Sequence, residues 1–125
     1  MNYARFSFLL GFLAWFLATL LFRFLGQIFF RPEDGIFLLG IYVIIVPVLG
    51  ILAILVFKKF RLSKLESVYA SVLMVLPGVL IDSFVVQNFS SIFPNMPGSY
   101  AAPFGAWLLW AYGFLLLIGV LQKEK

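Results

Sequence analysis

Two ionisable side chains stand inside apolar runs of this sequence: Arg23 in "TLLFRFLGQIFF" and Asp82 in "VLIDSFVVQN". A guanidinium and a carboxylate inside a bilayer can pair bidentately, or can serve protons, ions and charged substrates. Polar neighbours accompany both. Thr19, Arg23 and Gln27 recur at i, i+4 and i+8, one face of a helix. Ser83, Gln87 and Asn88 follow Asp82. Other chemistry is scarce. The chain has no Cys and no His, which removes thiol redox chemistry, the common zinc sites, His-ligated haem and the commonest general base. No metal and no cofactor is expected, and no nucleophile–base pair is visible.

The elements that must position these residues follow from composition. Of 125 residues, 64% are hydrophobic and 11% are charged. A soluble domain carries about 45–50% apolar and about 25% charged residues. The chain therefore reads as a single integral-membrane domain spanning 1–125, with the lipid bilayer as its first partner. The net charge of +4 does not indicate nucleic acid, because the positive residues sit at the ends of apolar runs.

Four runs approach the roughly 20 residues that a spanning helix needs: Phe6–Phe30, Ile36–Phe57, Leu65–Gln87 (in a helix from Lys64) and Pro103–Leu121. The expected fold class is an all-α membrane protein, four helices in an up-down bundle. The runs are continuous, without the period-two alternation of a barrel. Phe6–Phe22 is longer than the apolar core of a cleaved signal peptide, so it reads as a retained helix. "RPEDG" reads as a tight turn, and "SKLE" as a capping box of Ser63 and Glu66. "FPNMPGSYAAPFG" reads as a longer uncharged loop that releases the fourth helix at Pro103.

Orientation follows from the positive residues. Arg5, Lys58, Lys59, Arg61, Lys64, Lys123 and Lys125 fall on one side, against Arg31 on the other. Both termini and the second loop should then be cytoplasmic, in the cell membrane. Counting a hydrocarbon core of about 30 Å at 1.5 Å per residue from Phe6 and from Leu65 puts Arg23 and Asp82 level, near the outer boundary. Their pairing is the expectation, with Gln27 in support. The alternatives are an Arg23 that snorkels to the headgroups and a proton- or ion-carrying Asp82.

Pro47 and Pro77 lie near the middle of the second and third spans and are expected to kink them, freeing the carbonyls of Val43 and Leu73. A midplane binding site between broken helices is the sharper reading, and the expected absence of a midplane charge counts against it. Trp107, Trp110 and Tyr112 read as an interfacial aromatic belt or as packing.

The stretches "FRFLGQIFF" and "FPNMPGSYAAPFGAWLLWAYG" resemble a small bacterial integral-membrane family catalogued only as a domain of unknown function. The resemblance implies four helices over nearly the whole chain and assigns no activity. Small multidrug exporters are similar in helix count but depend on a first-helix glutamate, and fluoride channels have a Gly-rich motif that "FLATLLFRF" lacks. The expected role is a non-catalytic accessory subunit or helix-packing partner of a membrane protein, using small residues such as Gly11, Ala14, Ala18, Gly105, Ala106 and Gly113. The alternatives are a small homo-oligomeric channel or transporter lined by the Arg23/Asp82 site, and an interfacial lipid or quinone enzyme drawing on Arg23, Asp82 and Asn95.

Overall fold

The structure, a computed structural model, describes residues 2–122; Lys123 and Lys125 of the charge count lie outside the described residues. Five α-helices and one 3-10 turn follow one another: α1 (Tyr3–Phe29), α2 (Gly35–Lys59), α3 (Lys64–Gln87), α4 (Phe89–Ile92), the 3-10 turn Gly98–Tyr100 and α5 (Ala101–Val120). Four of them are long and apolar enough to cross a bilayer, the last counted from Gly98. There is no strand among the described residues.

The first three long helices each start where side chains can answer their free N–H groups, and α5 starts without a side-chain cap. The Asn2 side-chain Oδ1 accepts from Arg5 N–H at 2.9 Å. Asp34 accepts from Ile36 and Phe37 N–H at 3.1 and 3.4 Å. At α3 the capping box closes both ways, Glu66 N–H to Ser63 Oγ at 3.3 Å and Ser63 N–H to Glu66 Oε1 at 2.9 Å. The end of α2 is a Schellman motif. Leu62 N–H reaches Phe57 O at 3.0 Å and Arg61 N–H reaches Lys58 O at 3.3 Å. Arg61 takes the left-handed position there, with φ 49, where glycine is usual.

α3 lies between α1 and α5, and α2 flanks α5. α1 and α2 are consecutive in sequence but barely touch. Small residues set the two close approaches. The backbone of α3 at Met74 lies where a Cβ on Gly11 would go, and Ser71 fills the corresponding place at Gly119. Ser7, Ser67 and Ser71 are buried in the same seams. Such contacts let helix backbones pack closely in lipid. Of the small residues expected to pack, Gly11 does so. Gly113 has nothing near it, and Ala106 faces outward.

Indole groups attach α2. Trp107 Nε1 donates to Ile41 O at 3.1 Å and Trp110 Nε1 to Tyr42 O at 2.8 Å. Both tryptophans therefore join helices. Pro47 and Pro77 lie within helices that run on through them; Pro47 faces outward and Pro77 is buried.

The core has two layers. Near the "RPEDG" turn, Phe22, Phe30, Phe89, Phe93, Phe104 and Trp107 pack together, with Phe22, Phe30, Phe93 and Phe104 meeting edge to face. Near the basic loop, Ala53, Val56, Phe57, Ala70, Met74 and Leu115 form the second. The segment after α4 locks onto α1: Asn95 Nδ2 donates to Phe22 O at 3.0 Å and to Gln27 Oε1 at 2.6 Å, and Met96 covers Gly26. Tyr100 donates to Glu33 Oε1 at 2.7 Å across the same end.

Two outcomes follow. Gly11→Leu must push α1 off the Met74 backbone and should cost about 1–3 kcal/mol, read as a lower thermal midpoint in detergent. The Tyr100 hydroxyl, and less so Arg31, holds the Glu33 carboxyl below the ordinary glutamate range. A lowered folded-state value means that this contact stabilises above the unfolded-state value and is lost as pH falls through the folded one. Tyr100→Phe should move the Glu33 midpoint upward in a carboxyl-carbon NMR titration.

Candidate functional site

Asp82 is buried, 6% exposed, between the two core layers. Helices on either side supply its partners. Trp15 of α1 donates Nε1–H to Oδ1 at 2.8 Å, and Tyr112 of α5 donates its hydroxyl to Oδ2. An ionised carboxylate accepts about four hydrogen bonds, so these two leave capacity on both oxygens.

Local sequence explains each placement. Ser7, Gly11 and Trp15 recur every four residues on α1 and form the row that faces α3. Gly78 precedes Asp82 by one turn on α3, and a Cβ there would strike the Tyr112 hydroxyl, with Cζ at 2.9 Å. The missing side chain is what lets the tyrosine lie across α3 and reach the carboxylate.

The expected pair does not form. Arg23 lies on the exposed side of α1, and no ion pair joins it to Asp82 among the described residues. The reason is register. Tyr3 meets Tyr69, with ring centroids 6.2 Å apart, and Gly11 meets Met74, so the first turn of α3 projects past the start of α1. That turn carries Lys64 and Glu66, and a count that began at Leu65 began too early. Asp82 therefore aligns with Trp15, and Arg23 lies eight residues further along, about 12 Å at 1.5 Å per residue. Trp15 is near the centre of Tyr3–Phe29 and Tyr112 near that of Ala101–Val120. The chain thus does carry a carboxylate at mid-span.

The other expected site residues divide. Thr19 is half-buried and lines the cavity beside Asp82. Gln27 is exposed and is used by Asn95, one turn beyond Arg23. Ser83 and Gln87 are exposed, and the Ser83 hydroxyl returns to Leu80 O at 2.7 Å. Gly78, expected beside Pro77 to permit close backbone approach, does so toward Tyr112; Trp15 carried only one signal in the sequence, the four-residue row through Gly11.

Asp82 borders a partly open cavity of about 100 Å³. Its lining comes from all four long helices, including Leu10, Ala14 and Ala18 of α1 and Ile45, Leu49 and Leu52 of α2. It lies among α1, α2 and α5, where α1 makes little contact with either of the other two. The wall is almost wholly apolar, with Asp82 as its carboxylate.

This fold and site define a multi-pass α-helical membrane protein with a caged carboxylate in its interior. The chain belongs to the DUF5367 family, a family of unknown function, whose model matches residues 29–125. That stretch carries Gly78, Asp82, Trp107 and Tyr112 and begins at the last residue of α1. No curated protein and no solved structure matches the chain.

The cage gives a quantitative expectation. Tyr112→Phe should cost about 1–2 kcal/mol, since it removes one donor from a buried acceptor. Gly78→Ala should cost at least as much in the native background and clearly less in Tyr112→Ala, where the obstructing ring is gone. Additive costs in that double-mutant cycle, measured by thermal unfolding, would show that Gly78 does not act through Tyr112.

Proposed function

We propose that this protein is a non-catalytic, membrane-embedded binding protein whose mid-span crevice receives an apolar guest beside Asp82. The observation that carries the reading is the caged carboxylate facing an apolar cavity open to one side. Ionisable groups in spans are rare because of their desolvation cost, and they mark sites by default. Two neutral donors orient this one and leave part of each oxygen for a guest. Apolar cavities with a few convergent polar groups are the usual form of small-molecule sites.

In this proposal the protein lies in the cytoplasmic membrane, with both termini and the Lys58–Lys64 loop on the cytoplasmic side. Arg5 and that loop belong to one end of the molecule, where Lys59 Nζ stands 5.7 Å from the Phe6 ring centroid, and their shared charge supports the orientation. Arg23, exposed and one to two turns from the opposite end of α1, acts as a snorkelling anchor. A second reading, an accessory subunit or homo-oligomer, is favoured by the outward stripe of Ala102, Ala106 and Gly113 on α5, which suits a neighbouring helix.

The test uses the full chain in lipid nanodiscs and tert-butylbenzene as a neutral probe, followed by tryptophan fluorescence. Saturable binding is expected, and Ala18→Phe, which fills the crevice without touching Asp82, should abolish it. Binding that is unsaturable, or equal in the filled variant, would overturn the reading.

A further inference from the structure

We propose that the guest of this crevice is a lipophilic organic cation, an ammonium-type head on an apolar body. The inference rests on the binding reading above and specifies its ligand chemistry. Three observations on different helices converge. Asp82 brings a carboxylate to the cavity, and no ion pair reaches it among the described residues. The same wall presents aromatic rings from two further helices: Trp15 and Phe22 of α1, and Phe104, Trp107 and Tyr112 of α5. Ring faces attract cations, and several rings around one anionic group form the arrangement that selects ammonium groups over neutral ones. The chain's own cation nearest in sequence to the site, Arg23, is turned to the outside of α1.

Size and access agree. A cavity of about 100 Å³ holds a small head group rather than a whole amphiphile. The cavity is partly open, so the body of the guest extends out of it into the apolar surroundings of the helices. A carboxylate that must sit in an apolar wall is balanced by such a head without bringing water into the interior.

The experiment compares phenyltrimethylammonium with tert-butylbenzene, its neutral isostere, on the full chain in nanodiscs, with empty nanodiscs subtracted. The cation should bind at least 10-fold more tightly, and Asp82→Asn should bring the two probes to equal affinity. Should Asp82→Asn fail to fold, Trp15→Leu and Phe104→Leu replace it; each removes a ring and should reduce the cation preference several-fold. Equal binding of both probes to the native protein would overturn this inference and leave the binding reading standing. A cation preference that survives in folded Asp82→Asn, or in both ring variants, would also overturn it. Binding of neither probe would overturn both.

Discussion

A carboxylate held in the middle of an apolar slab is the constraint on which the rest of this structure depends. Asp82 cannot stay there without donors, and α3 has none within reach. The donors arrive from α1 and α5, through Trp15 and Tyr112. That requirement puts α3 between the other two helices. The close approaches need thin places on both helices: Gly11 of α1 rests on the Met74 backbone, and Gly78 of α3 clears the path of the tyrosine. The two core layers sit on either side of this polar point, so one interaction sets the helix order, the helix register and the boundary between the layers.

α2 stands outside that arrangement. It gives nothing to Asp82 and is joined to α5 by two indole hydrogen bonds to its own backbone carbonyls, at Ile41 and Tyr42. These bonds cluster in its first two turns. Further along, Ile45, Leu49 and Leu52 meet the crevice instead of α1. The sparse contact between α1 and α2 follows from these attachments: α1 is held to α3 through Asp82, and α2 is held to α5 through the tryptophans.

Much of the fold was legible because membrane helices announce themselves. Continuous apolar runs, the Ser63–Glu66 box and the "RPEDG" turn each reflect a local rule acting within a few residues. The site was not legible, because its parts meet through register, and register depends on which faces are small enough to touch. A depth count treats both helices as beginning at the boundary. Lys64 and Glu66 show why that fails: a charged first turn belongs outside the apolar slab, and the helix slides accordingly. Opposite formal charge was a second false guide. Arg23 and Asp82 look complementary in a list of residues, but a long guanidinium near a helix end reaches polar surroundings unaided, while a short carboxylate at mid-span must be met where it is. Trp15, Trp107 and Tyr112 carried no mark in the sequence that separates a donor to the interior from a ring at the interface.

The cage also limits the chemistry. General acid–base work needs a second group free to take or give a proton beside the reacting atom. Here the nearest hydroxyl, that of Tyr112, is already donated to Asp82, and the indole of Trp15 only donates. Both partners orient the carboxylate. Held by two neutral donors at the wall of an apolar cavity, it keeps part of each oxygen free, and that is the feature on which the proposed binding reading rests. The sparse contact of α1 with α2 beside it is then the feature that matters next, because a loosely joined helix pair is where the proposed guest could reach Asp82 from the bilayer.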